Sequence, residues 1–294
     1  MKPVGLYELI DRAYTTRLRG ADNQQNNTGL IYRLPSLGRS TQLFGAREGA
    51  LTGAPGGGIG ESVTQGIGLG GFNLHNRSGG AIVMGIGVRI PNRFWSAGTW
   101  DDDAATPFTY DTTIAQDDAA GVIPLETTTG DDGFVAHSRV LFNAISLDVG
   151  TASVGAGAVR GVRYTNAAGS GWTDFANLFL QDASTGVMST GENLVVWAPP
   201  SDWGLTQAAG LSGIPGGRYA LNVRATTAPT TAAVADSLSL YRLYYLTEAV
   251  ADNGSLVSDS MQGELVMTPG DALVCLFGTA NNQNRVSCLV RSRE

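Results

Sequence analysis

The sequence predicts an all-β protein: an antiparallel β-sandwich, jelly-roll-like, with an extended N-terminal arm. Three observations predict it. Strand-sized apolar segments alternate with Gly, Pro, Asn, Asp and Ser clusters from Phe72 to the C-terminus. Long helical periodicity is missing between these segments, which argues against a parallel α/β sheet. Finally, no repeat of fixed period appears, so a solenoid or propeller does not fit, and Greek-key or jelly-roll topology is the natural expectation.

Residues 1–17 carry the one helical pattern, with Leu6, Leu9, Ile10 and Ala13 on one face and Pro3 near the start. From Arg19 to Gly71 the chain is polar and glycine-rich and keeps no period. A stretch of this length without its own structure reads as an arm lying on neighbouring subunits or along its own domain, although composition equally allows a disordered tail. The division expected is therefore an arm with a short helix over 1–70 and a β-sandwich over 71–294.

Within the sandwich, Gly80–Pro91 reads as one or two buried strands, and Trp95–Trp100 as a turn with aromatic anchors. Phe134-Val135 and Val140–Val149 follow as strands. Alternation of Tyr219, Leu221 and Val223 with Ala220, Asn222 and Arg224 marks a half-buried strand. Leu238–Leu246 is apolar on both faces and belongs at the centre of a sheet. Leu265–Met267, Leu273–Phe277 and Val286–Val290 close the domain. A hairpin centred on Asn281-Asn282 would set Cys275 opposite Cys288. A cross-strand disulfide between them is one outcome, and two buried free thiols, the commoner state in a cytoplasmically made protein, is the other.

Composition narrows the function. With 19 basic and 26 acidic residues the net charge is −7, and no cluster of positive charge suits a phosphate backbone, so nucleic acid is not an expected partner. No apolar run approaches the roughly 18 residues that span a bilayer, and a membrane partner is not expected either. Charged residues make up 15% of the chain, against about 25% in ordinary soluble domains. Much of the surface is then small and neutral, as in proteins packed against neighbours in an assembly.

The chemistry-bearing motifs read as structural. Gly66-Ile67-Gly68-Leu69-Gly70-Gly71 matches a dinucleotide pattern, but no strand–turn–helix context surrounds it, so no cofactor is expected. His75 and His137 belong to no metal-ligand spacing, and no nucleophile elbow is present. Asp101-Asp102-Asp103, Asp117-Asp118 and Asp131-Asp132 sit in turns without a calcium-loop pattern and read as solvated turn formers. Trp95, Trp100, Trp172, Trp197 and Trp203 would serve a sugar platform or, more commonly, cap a sandwich core.

One stretch goes further. Tyr164-Thr165-Asn166, the Gly169-Ser170-Gly171-Trp172 turn, Pro199-Pro200-Ser201-Asp202-Trp203, Tyr219-Ala220-Leu221-Asn222-Val223-Arg224 and Thr226-Thr227-Ala228-Pro229-Thr230-Thr231-Ala232 follow one another in order. Together with Trp95–Trp100 and Asp131–Ala152 they resemble modules of structural proteins in tailed-bacteriophage virions, of the capsid decoration or cement type. The resemblance covers roughly residues 92–245, and its first turn departs from the pattern by inserting Ala167-Ala168. It implies a non-enzymatic subunit, made in the host cytoplasm and seated on the outside of the capsid. Its partners would be the major capsid protein and itself, as a homo-oligomer such as a trimer. A receptor- or glycan-binding tail, baseplate or fibre component is the alternative, and a polysaccharide hydrolase a third. On this reading the partner-contacting residues are expected on the arm: Leu6, Tyr7, Leu9, Ile10, Tyr14, Leu30, Tyr32, Leu43 and Phe44.

Overall fold

The computed structural model describes residues 31–33, 40–45, 67–110, 123–125, 132–154, 160–176, 178, 180–181, 189–208, 210–227, 229–258, 265–267, 272–278 and 284–292. It is all β, with antiparallel pairing throughout and no α-helix among the described residues. The strands are β1 (Ile31–Arg33), β2 (Ser40–Gly45), β3 (Ile67–His75), β4 (Ile82–Arg89), β5 (Trp95–Trp100), β6 (Phe108–Tyr110), β7 (Ile123–Pro124) and β8 (Gly133–Ser138). They continue as β9 (Ala144–Thr151), β10 (Arg160–Thr165), β11 (Trp172–Asp174), β12 (Leu180–Gln181), β13 (Gly191–Val196) and β14 (Tyr219–Ala225). Last come β15 (Val234–Val250), β16 (Ser255–Ser258), β17 (Leu265–Met267), β18 (Ala272–Phe277) and β19 (Arg285–Ser292). The chain divides into two compact units, Ile90–Arg242 and Met1–Arg89 with Leu243–Glu294.

The Ile90–Arg242 unit is a jelly roll, and its pairing shows why. Four antiparallel pairs are nested along the chain: β10 with β11 innermost, then β9 with β13, β8 with β14, and β7 with β15 outermost. Successive pairs alternate between two sheets, which is a long folded hairpin wound into a double layer. One sheet runs β11-β10-β14-β8-β5-β6, while the other is built on β12, β13, β9 and the first half of β15.

Two-residue periodicity fills the space between the sheets. Phe134 and Ala136 of β8, Leu221 and Val223 of β14, and Val162 and Tyr164 of β10 face inward from one side. Ile145, Leu147 and Val149 of β9, with Leu238 and Leu240 of β15, meet them from the other. Trp197 and Trp203 close one end against Phe142, at ring separations of 5.7 and 5.3 Å. Trp95–Trp100, expected as a turn, is strand β5: Trp95 and Ala97 enter the core while Trp100 lies on the opposite face. The Val140–Val149 segment becomes strand from Ala144, and just ahead of it the Asn143 backbone bonds to Tyr241 and Trp197.

The strand expected to be half-buried is buried on both faces. Ala220 and Asn222 of β14 point away from the core, yet neither reaches solvent: Leu211 and Ile214 pack with Ala220, and Arg163 bonds to Asn222.

In the unit formed by Met1–Arg89 and Leu243–Glu294, β3 pairs with β19, β16 and β17, and β19 with β1. A second sheet places β18 between β4 and β2. Phe72 and Leu74 are buried on either side of exposed Asn73, as one-face packing requires. Two sequence expectations are corrected here. Residues 19–71 are not without structure of their own, since β1, β2 and the start of β3 fall within them. Leu273–Phe277 and Val286–Val290 do not form a hairpin either: Cys275 stands opposite Ile86 and Thr41, and Cys288 opposite Phe72. Cys275 is buried.

Candidate interaction face and polar clusters

The most built feature outside the core is the connection from Trp197 to Arg218, which leaves β13 and returns as β14. From Ala198 to Gly217 it carries a single charge, Asp202, and eight residues that are Gly or Pro. Such a sequence suggests a slack loop. The structure is the opposite, and the reason lies in backbone packing against the Asn166–Gly171 turn.

A Cβ on Gly204 would lie 2.2 Å from the Asn166 carbonyl oxygen, one on Gly210 2.4 Å from that of Gly169, and one on Gly169 2.1 Å from that of Leu205. Gly169 also has φ +71°, which favours glycine in its own right. The two loops therefore touch main chain to main chain. The Gly204 and Gln207 N–H groups donate to the Thr165 and Gly169 carbonyls at 3.2 and 2.9 Å.

Side chains complete the clamp. Thr206, buried, donates through Oγ1 to the Pro215 carbonyl at 2.6 Å, accepts the Arg218 N–H at 3.0 Å, and bonds through its backbone to Arg218 and Gly217. Leu211 and Ile214 press onto Trp100, Phe108, Val135 and Ala220 on the outer face of the six-stranded sheet. Trp203 anchors the other end, with the Tyr164 hydroxyl donating to Asp202 at 2.9 Å. What remains in solvent is Ala198, Pro199, Ser201, Asp202, Leu205, Gln207, Ala208, Ser212, Gly213 and the Pro215–Gly217 corner, with Leu205 47% exposed. This is a rigid, nearly uncharged surface.

Beside it, Arg163 projects from β10 onto the same outer face and is almost wholly buried. Its Nε donates to Asn222 Oδ1 at 2.7 Å and its Nη2 to Asp102 Oδ1 at 3.0 Å, while the guanidinium carbon sits 5.9 and 5.4 Å from the Trp100 and Trp172 rings. Cation–π attraction strengthens when the ion is desolvated. Asp102 also accepts from Trp100 Nε1 at 2.9 Å, and its own N–H donates to Asp132 at 3.0 Å. The Trp100 hydrogen bond, then the Arg163 contact, hold the Asp102 carboxyl below its usual range against the opposing effect of burial. Thus Asp102, exposed and in a turn as expected, is also a structural partner, while Asp132 is buried. Asp117, Asp118 and Asp131 lie outside the described residues.

The histidines differ from each other. His75 Nδ1 lies 2.8 Å from Ser255 Oγ, but its Nε2 faces Arg77 Nε at 3.4 Å, where a catalytic triad would need an orienting carboxylate on the far nitrogen. His137 is 2% exposed on the outer face of β8, under Phe108 and Tyr110, with no hydrogen-bond partner at either ring nitrogen among the described residues. Burial, with Arg218 adding to it, lowers its imidazole to about 4. Trp95, Trp100, Trp197 and Trp203 are buried and Trp172 is half-buried, so the tryptophans present no row of open ring faces for sugar stacking. The glycines of the dinucleotide-like pattern from Gly68 to Gly71 lie along β3, not at a helix start. Among the described residues, no three His, Cys, Asp or Glu side chains converge to hold a metal ion.

Of the residues expected to contact a partner, Leu6, Tyr7, Leu9, Ile10, Tyr14 and Leu30 lie outside the described residues. Tyr32 sits on β1 opposite Val286, and Phe44 on β2 opposite Leu273. Leu43 falls at the register shift between β2 and β18. The Ala198–Gly217 surface was not among the expected contacts. Its signal in the sequence was a charge-free run bounded by Trp203, Leu211 and Ile214, which by itself looks like an ordinary loop. The chain matches no family model, no curated protein sequence and no solved structure.

Proposed function

We propose that this chain is a non-enzymatic structural protein of a bacteriophage virion, a decoration or cement subunit that binds the outside of the capsid lattice. The observation that carries the reading is the Ala198–Gly217 surface. Buried interface cores are depleted in charge, and a loop already held in one conformation loses little entropy when it docks. A face with one charge, clamped by glycine-backed main-chain contacts, meets both conditions. The jelly roll supports the reading as a fold that viral capsid domains use, and the resemblance of residues 92–245 supplies the virion context. The capsid protein and further copies of this chain would be the partners. Stable, specific contacts bury about 1,600 Å², more than one loop provides, so engagement of several capsomers or copies at once would supply the rest.

The test mixes purified protein with expanded capsids that lack it. Added density on the capsid surface and a higher capsid disruption temperature are expected. Failure to bind capsids, with binding to host cells instead, would overturn the assignment in favour of a tail or fibre role.

A further inference from the structure

We propose that His137 makes the edge strand β6 a pH-released flap, with protonation of the imidazole ejecting Phe108 and Tyr110 from the outer face of the six-stranded sheet. The geometry comes first. β6 is three residues long and, among the described residues, lies at the sheet edge and pairs only with β5. Phe108 and Tyr110 stand edge-on to each other at 4.6 Å and to the His137 ring at 5.5 and 5.9 Å. The histidine is thus roofed by the strand it helps to hold. Tyr110 is 49% exposed, so the roof is one ring thick on that side.

Among the described residues, a proton placed on His137 would find no counter-ion. Opposite it across the sheet are Ser96 of β5 and Ala220 of β14. From β6 comes Tyr110, whose phenol burial keeps neutral by raising its proton affinity. Arg218, at the entry to β14, acts on the ring with the same sign, and Arg139, one residue past β8, acts on Arg218. Leu211 and Ile214 of the overlying loop are apolar. A buried imidazolium among aromatic rings and arginines is unstable unless water reaches it. Lifting β6 is the local opening that lets water in, since a three-residue edge strand has few bonds to lose.

The sign follows from the two protonation states. The closed strand holds the ring near 4, while a hydrated histidine titrates near 6.5, so the open form takes the proton between those values. Closure is at full strength above about pH 6.5 and weakens as the pH falls toward 4. Relative to pH 8, the opening constant rises about 30-fold at pH 5 and about 150-fold at pH 4.

Hydrogen exchange of the Phe108–Tyr110 amides in the full chain, corrected for intrinsic pH dependence, reads this constant. Wild type should lose protection there in that proportion, and His137→Gln should show a flat profile. Gly98→Ala is the control for the open state, because its Cβ would lie 1.9 Å from the Thr109 carbonyl and force β6 away at every pH. Protection of β6 that is unchanged down to pH 4, or an equal loss in His137→Gln, would overturn the proposal. Should His137→Gln not fold, the wild-type ring itself decides: only two histidines are present, so its NMR titration is assignable. A midpoint near 4 that coincides with the loss of β6 protection supports the flap, and a midpoint near 6.5 with β6 still protected refutes it.

Discussion

Replacing Gly204 by alanine tests whether the Ala198–Gly217 surface is rigid for the reason given. The added methyl would sit 2.2 Å from the Asn166 carbonyl oxygen and 2.8 Å from that of Ala167. Both are main-chain atoms, so neither can rotate away, and the two loops must part by roughly 1 Å to reach ordinary contact. Parting them strains the Gly204 and Gln207 hydrogen bonds to Thr165 and Gly169. Overpacking costs about 1–3 kcal/mol and the two weakened hydrogen bonds together about 1 kcal/mol, so a loss of about 2–4 kcal/mol is expected. For a unit of this size that is a fall in Tm of roughly 5–12 °C. Gly217→Ala supplies the contrast. Gly217 also lies in the loop, at φ +73°, but nothing stands within 4 Å of its Cβ position, so only the backbone cost of about 1–2 kcal/mol applies. Urea denaturation followed by tryptophan fluorescence reports both, since Trp203 adjoins the strained contact. If Gly204→Ala is no worse than Gly217→Ala, main-chain contact does not set the loop, and the preorganisation argument fails. Under the proposed function, Gly204→Ala should also weaken capsid binding at temperatures where the protein stays folded.

Two further outcomes follow from buried groups. Arg163→Met should cost about 2 kcal/mol in chemical denaturation, because Asn222 Oδ1 and Asp102 each lose a charged partner while the exposed side of Asp102 softens the loss; a change below about 0.5 kcal/mol would mean that the cluster contributes nothing net. In a Cys288→Ser background, the Cys275 thiol should react with a disulfide reagent only as fast as its sheet opens, and rapid labelling of the native protein would contradict its burial.

The parts of the fold legible in the sequence are those where one face of a strand decides everything. Tyr219, Leu221 and Val223 alternate and are inward-facing; Leu238–Leu246, apolar on both sides, runs through the middle of β15. Errors arise where burial comes from the other side of a sheet. Ala220, Asn222 and Arg163 look like a solvated face, and nothing local says that Leu211 and Ile214, carried by a loop, will pack on Ala220, or that Trp100, Trp172 and Asp102 will gather around Arg163. Trp95–Trp100 was misread for a related reason, since tryptophans at both ends and Gly98 between them suggest a turn. Gly98 is in fact the position where β6 approaches too closely for a Cβ. The cysteine hairpin does not form because β18 pairs with β4 and β2 while β19 pairs with β3 and β1, a choice fixed by long-range pairing that adjacency cannot reveal. The loop surface was missed because rigidity depends on the Asn166–Gly171 turn, some forty residues away in the chain.

The nesting of the jelly-roll pairs also ranks them by chain entropy. The innermost pair joins Thr165 to Trp172 across a single turn, the next joins Val149 to Gly191, then Ser138 to Tyr219, and the outermost joins Pro124 to Val234. Each doubling of the closed segment costs about 0.6 kcal/mol more, so the outer pairs are the dearest to close from an open chain. Once an inner pair is made, however, it shortens the effective gap for the pair around it. The ribbon therefore closes at least expense from its tip outward, and the tip is the Asn166–Gly171 turn on which the interaction surface later rests. The segment that begins the winding is also the one that fixes the finished loop.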